Sequence, residues 1–536
     1  MKQNTNIIKG AVKGLAILLV GAFTACEKDL DRNPINTNTS EVQYSTPLGY
    51  KQALAKVYGS YSLVSSTGVS QSDVNVAGIG DDKGPTDFIR AYWNMQELTT
   101  DEAKCAWNDA NLVSFHNFSW TSSNVLINAL YSRSLFQITV CNEFIRESTD
   151  EKLSSRNITG ADADNIRHYR AEARFLRAYQ YWVLMDLFGN PPFVTEKDPI
   201  GKFIPPQIQR QDLFAYIESE LKGIETSLAA PRQNEYGRAD QAAAWALLAR
   251  LYLNAEVYTG TARYTDAITY ASKVINGPYS LMQDYKKLFQ ADNNVNNTET
   301  ILPIAYDATY SQNYGGTTFL VCSAHGTNVA DNNQAGIPGG GWSGNRSTKN
   351  LPLVFGDYSG NADKRAMFGL GSLEMNDVLN FNEGLGVNKF KNVNSDGSIP
   401  YSPNGVLVNV DFPLFRLAEM YLVYVEAVKR GGTGGNETTA RDYFNELRER
   451  AYQSTAGNVS NVSLDDVLNE RMRELYWECH RRTDLIRFNR FNSSAYLWPW
   501  KGGIKDGVGT DDHYKLFPIP STEIISNTNL RQNPEY

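Results

Sequence analysis

The stretch Leu248-Ala249-Arg250-Leu251-Tyr252-Leu253 is echoed later in the chain by Leu417-Ala418-Glu419-Met420-Tyr421-Leu422. In both, apolar residues recur at three- and four-residue spacing, as a helix with one buried face requires. Each copy leads through a Gly-containing turn into a second amphipathic stretch, Tyr264 to Ile275 and Thr439 to Ala451. Small Ala at a close contact, a large aromatic beside it and a helix–turn–helix rhythm fit tetratricopeptide-like hairpins, although ordinary antiparallel helices sharing common residues give the same pattern. Ala173-Arg174-Phe175-Leu176-Arg177-Ala178-Tyr179 is a candidate opening of a further hairpin. Periodicity predicts helices over 164–188, 212–229, 240–258, 262–276, 413–430, 438–452 and 463–478. Asp212, Asp240, Thr438 and Ser463 stand where N-caps belong, and Gly189 and Gly277 stand just past helix ends. The expected fold class is mainly α.

Between 300 and 410 the helical signal fades into a segment rich in Gly, Asn, Ser and Tyr, including Gly339-Gly340-Gly341-Trp342. Long irregular segments inside a compact protein are usually functional. At the other end, Lys2, Lys9 and Lys13 surround the start of an apolar or small run, Leu15 to Phe23, followed by Thr24-Ala25-Cys26. The run is far shorter than the ~20 residues of a spanning helix, and the order basic, apolar, small is that of a secretory signal. Phe23-Thr24-Ala25-Cys26 resembles a bacterial lipobox, with Phe23 in place of the usual Leu. On this reading residues 1–25 are a lipoprotein signal peptide and Cys26 is the acylated mature N-terminus. Residues 26–45, polar, with Pro34 and without periodicity, read as a flexible tether. Residues 46–536 form the body.

The net charge of −8, made more acidic by removal of the three leader lysines, and the absence of a basic cluster argue against nucleic acid. Cys105, Cys141, Cys322 and Cys479 are scattered without a CxxC pair, so a metal knuckle is not expected. The chain holds no HExxH, GxSxG, Walker A or βαβ-type GxGxxG motif. Its five histidines, His116, His168, His325, His480 and His513, are isolated from one another and from any clear nucleophile. Carboxylates are abundant, but no spacing singles out a glycosidase pair. Asp292-Asn293-Asn294-Val295-Asn296 begins like a calcium loop. Asn297 and Pro303 then occupy the positions where an EF-hand needs Gly and Glu, which leaves only a structural calcium site of another kind open. No cofactor is expected.

The aromatic loops carry more chemistry. The chain has 30 Tyr, 23 Phe and 9 Trp. Trp93 and Trp107 bracket a polar stretch with Arg90 just upstream, Tyr314 is followed by Gly315-Gly316, and Trp342 follows three glycines. Sugars offer C–H faces to rings and hydroxyls to flanking polar groups, so an aromatic platform with a polar rim suits carbohydrate. The same rings would serve equally to pin their loops to a core.

Residues 170–192 (RAEARFLRAYQYWVLMDLFGNPP), 238–258 (RADQAAAWALLARLYLNAEVY) and 412–427 resemble the SusD/RagB family of outer-membrane nutrient-binding lipoproteins of Bacteroidetes. So do Glu470-Arg471, Glu474-Leu475, Arg481-Arg482-Thr483-Asp484-Leu485-Ile486-Arg487, Phe517-Pro518-Ile519-Pro520 and Gln532-Asn533-Pro534. The resemblance implies about four tetratricopeptide-like hairpins, with the ligand site on inserted loops, in a single domain with sections near 46–230 and 265–536. It implies a lipid-anchored, surface-exposed outer-membrane protein that binds glycans without catalysis and caps a SusC-type TonB-dependent transporter. Starch-like α-glucan is the first expectation for the glycan, because the family's starch-binding founding member offers the strongest resemblance. Arg90, Trp107, Tyr314 and Trp342 fall on its site positions, with Asn108 as a further hydroxyl partner. Cys105 replaces a tryptophan of that member's aromatic arc and Ala110 a contacting asparagine, with Trp93 as a nearby aromatic able to compensate. A hemicellulose or β-glucan is the alternative ligand, and a surface hydrolase or protein-binding scaffold the alternative function.

Overall fold

The computed structural model describes residues 39–536 except 66 and 70. The expected signal peptide at 1–25, the expected lipid anchor Cys26 and residues 26–38 of the expected tether lie outside the described residues. The principal helices are α1 (Pro47–Ser62), α2 (Phe88–Glu97), α3 (Val125–Glu147), α4 (Gly160–Phe188), α5 (Arg210–Ile224), α6 (Gln241–Leu253), α7 (Tyr264–Ile275), α8 (Gly316–Ala324), α9 (Leu417–Lys429), α10 (Glu437–Tyr452), α11 (Leu464–Leu475) and α12 (Arg481–Arg487). The fold is mainly α. α3 packs on α4 and α4 on α5; α6 packs on α7, α7 on α9 and α9 on α10. The echoed hexapeptides thus form the leading helices of two hairpins, α6–α7 and α9–α10, stacked through α7. Ala249 and Ala418 are fully buried, letting the helices approach closely.

Four short strands complete the framework: β1 (Ala103–Cys105), β2 (Thr300–Ile304), β3 (Asn345–Ser347) and β4 (Phe412–Arg416). β1 pairs with β3 and β2 with β4, both antiparallel. β4 corrects the helix expected from 413. Phe412–Arg416 is a fully buried strand, and helix begins only at Leu417. Two expected caps hold: Asp240 accepts from the N–H groups of Ala242 and Ala243, and Ser463 forms a capping box with Asp466. Two do not. Gln209 and Asn436 are the N-cap residues, so Asp212 and Thr438 sit inside the first turn. Residues 39–44, expected to be irregular, carry local structure: Thr39 caps a helical turn at Ser40–Gln43 and the Tyr44 ring packs 5.0 Å from that of Tyr50.

The late signature at 470–487 is an ionic core. Glu474 accepts from Arg365, Arg416 and Arg450 at 2.9, 2.5 and 2.5 Å. Glu470 pairs with Arg365 at 2.7 Å, and Asp484 pairs with Arg471 and Arg487, both at 2.7 Å. Arg481 reaches Asp101 at 2.7 Å, tying α12 to the stretch between α2 and β1. Such charges hold only as a mutually satisfied set, since removing one partner strands another in low dielectric. Two residues of the calcium-like run 292–297 turn inward: Asn293 donates to the carbonyls of Leu288 and Asp411, and Asn297 to that of Asn293, while Asn294, Val295 and Asn296 are exposed. Asp292 accepts from both the backbone N–H and the hydroxyl of Ser395.

Candidate functional site

Arg90 lies in the first turn of α2, whose N-cap is Asp87. Asp87 Oδ1 accepts from the Arg90 N–H at 3.0 Å and from the Gly316 N–H at 2.7 Å, so one carboxylate fastens the Tyr314 loop to α2. Burial raises its pKa despite these bonds. Arg90 Nη1 donates to the Tyr314 carbonyl at 2.9 Å and to Asp82 Oδ2 at 3.1 Å. Both bonds depend on Gly84, where a Cβ would stand 2.6 Å from Arg90 Nη1 and from the Tyr314 oxygen. Burial lowers the Arg90 pKa, opposed by Asp82.

The second half of the site follows from strand register. β1 and β3 pair Cys105 with Asn345, and the Ala106 N–H extends the ladder to the Gly344 carbonyl at 2.8 Å. Trp107 follows one strand and Trp342 precedes the other, so antiparallel pairing carries both indoles to the same end of the ribbon. Gly344 has φ +112°, and a Cβ there would stand 2.3 Å from Trp107 Nε1; the indole rests on bare backbone. Trp342 is fixed by its N–H, which donates to the Cys322 carbonyl at 2.6 Å.

Arg90, Trp107, Tyr314 and Trp342 thereby line one cleft of about 620 Å³, with Val69, Asp81, Asp82, Lys83 and Val406. The Tyr314 and Trp342 rings stand 6.1 Å apart, edge to face. The Arg90 guanidinium is 5.9 Å from each of the Trp107 and Trp342 rings and 4.9 Å from Phe319 below. Asn404 Nδ2 donates to the Tyr314 hydroxyl at 3.4 Å. All three cleft rings are half-buried: anchored along one edge and open along the other.

Two expectations are corrected. Trp93 is fully buried, 5.5 Å from Phe319 and 5.0 Å from Trp477, because every residue of α2 is interior. It supports the site from beneath and offers no surface to a ligand. Asn108 is exposed beside Trp107 but does not line the cleft. Cys105 is 1% exposed, with its thiol pushed up to about 12 by burial, so no side chain from that position joins the arc. Ala110 is exposed at the start of the helix Ala110–Asn117. Sequence reasoning missed Asp81, Asp82, Lys83, Val69 and Val406. The acidic pair before Lys83-Gly84 was a turn signal, but nothing local tied it to Arg90.

The histidines stay away from the cleft lining. His116 lies beneath β1, with Nε2 3.2 Å from the Cys105 nitrogen, and burial pushes its pKa down to about 3. His325 Nδ1 meets Asp331 at 2.9 Å, and the same carboxylate receives the Gly326 and Thr327 N–H groups. This knot closes the base of the loop that carries Trp342.

Over 97% of its length the chain is 35% identical to starch-binding protein SusD of Bacteroides thetaiotaomicron, and it covers 98% of that protein. The chain belongs to the SusD family. The SusD family model matches residues 357–536, and a second, described as starch-binding associating with outer membrane, matches 81–253. A SusD-like protein of Bacteroides ovatus is 27% identical over 68% of the chain and 67% of its own length. Among solved structures, surface glycan-binding protein A from Bacteroides uniformis superposes with a TM-score of 0.69 at 22% identity, over 91% of this chain and 99% of that one. The Bacteroides thetaiotaomicron protein of that name, in complex with laminarihexaose, gives 0.67 at 20%, over 90% and 98%. The SusD-family segments hold Arg90, Trp107 and the ionic core, whereas Tyr314 and Trp342 lie between them, in the irregular insertion.

Proposed function

We propose that this SusD-family protein is a non-catalytic glycan receptor that captures starch-like α-glucan in the Arg90–Trp107–Tyr314–Trp342 cleft. One observation carries the reading: four residues distant in sequence, three aromatic rings and a guanidinium, line a single open cleft. Rings half-anchored and half-open suit stacking on sugar faces. Arg90 Nη2, without a protein partner among the described residues, is left to donate to a hydroxyl. The acids lining the cleft are adjacent in sequence, and Asp82 is engaged by Arg90, which favours binding over acid–base hydrolysis. Cys26 anchors the protein by lipid at the outer-membrane surface, where it delivers the glycan to a SusC-type TonB-dependent transporter.

A second reading, a β-glucan ligand, draws on the burial of Cys105, which shortens the aromatic arc, and on the laminarihexaose complex of a protein with this fold. Native affinity gels containing starch, pullulan, xyloglucan, mixed-linkage glucan, laminarin or mannan decide between them. Starch and pullulan are expected to retard the protein, and Tyr314→Ala with Trp342→Ala to abolish retardation. Retardation that survives both substitutions overturns the site, and new reducing ends from the polysaccharide overturn the non-catalytic reading.

A further inference from the structure

Among the described residues, the two most exposed aromatic rings are Tyr310 at 86% and Tyr401 at 73%. Both sit on loops that already build the cleft: Tyr310 shortly before Tyr314, and Tyr401 just before Asn404, which bonds the Tyr314 hydroxyl. The two loops are stitched together. Asn409 Nδ2 donates to the Tyr401 carbonyl at 3.1 Å, and its Oδ1 accepts from the Ala308 N–H at 3.0 Å. Asp307 Oδ1 accepts from the Thr309 and Tyr310 N–H groups at 2.7 and 2.9 Å. The backbone beneath each ring is therefore fixed, while the rings project outward. A lone exposed aromatic needs no explanation. Two mounted on fixed backbone, within four residues of Tyr314 and of its partner Asn404, offer a surface that an emerging sugar chain would cover.

We propose that Tyr310 and Tyr401 are an outer stacking subsite, engaging sugar residues of a polysaccharide that runs out of the cleft. This rests on the capture reading above and adds a preference for long chains. Because both rings are exposed, their removal should leave the fold intact. The test compares wild type, Tyr310→Ala/Tyr401→Ala, the matching double Phe variant and Trp342→Ala. Amylopectin in affinity gels is the long probe, and maltotriose in calorimetry the short one.

The double alanine variant is expected to bind amylopectin about tenfold more weakly, as two lost stacking contacts imply, and maltotriose within about twofold of wild type. The double Phe variant should bind both as wild type does. Trp342→Ala should lose both. Unchanged amylopectin binding by the double alanine variant, with Trp342→Ala defective, overturns the outer subsite alone. Equal weakening toward both probes places the rings inside the cleft and overturns it as well. Failure of wild type to bind either probe overturns α-glucan capture and the subsite together.

Discussion

At the scale of single residues, Trp93 and Trp342 show how one side-chain type takes opposite roles. Both belong to aromatic stretches near polar residues, but Trp93 is enclosed by Phe319 and Trp477, while Trp342 keeps one face open. Trp93→Ala should therefore cost about 3–5 kcal/mol of stability, as a large deleted core side chain does. Trp342→Ala should cost about 1 kcal/mol and act on glycan retention instead. Urea midpoints measured beside affinity gels check the contrast, and equal destabilisation by the two would contradict it. Arg90, Trp107, Tyr314 and Trp342 could be named from the sequence because Gly and aromatic residues cluster around them. The burial of Trp93 could not, since α2 is apolar and polar by turns and is buried on every side.

At the scale of elements, the β1–β3 ribbon positions Trp107 and Trp342, and Gly344 is its least replaceable member. A methyl group there would overlap the Trp107 indole. Gly344→Ala is expected to displace that ring, weakening polysaccharide retention at least about tenfold while the helical circular dichroism is unchanged; retention at the wild-type level would show that the indole is not held by this backbone. The helices themselves were readable because apolar periodicity and caps such as Asp240 and Ser463 act within a few residues of sequence. The strands were not. β1 and β3 are three residues each, and β4 was read as helix, because its pairing with β2 depends on residues far away.

At the scale of the whole molecule, the ionic core joins α9 to α12, β4 and the loops into one cooperative body. Burial works to raise the Glu470 pKa, but the guanidiniums of Arg365, Arg473 and Arg448 prevail and bring it down to about 2 from an ordinary 4.5. A carboxyl depressed in the folded state adds stability that is fully present above its unfolded pKa and is lost as pH falls through the folded value. The stability difference between wild type and Glu470→Gln should be constant above about pH 5 and shrink as pH falls from about 4.5 toward 2. Urea unfolding across that range checks it, and a difference independent of pH would contradict it. The charge set at 470–487 lies within the segment that the SusD family model matches, and none of its residues lines the cleft. By itself the sequence determined the α class and the hairpin echo, because periodicity and capping are local, and its motifs carried the resemblance to the family; composition offered the aromatic and polar residues from which the proposed sugar site is drawn. Only the tertiary structure decided which aromatics face solvent, how Asp87 and Gly84 lock Arg90 to Tyr314, and how Asn409 ties the Tyr401 loop to the stretch before Tyr310. Those facts depend on contacts between segments hundreds of residues apart, and no local pattern encodes them.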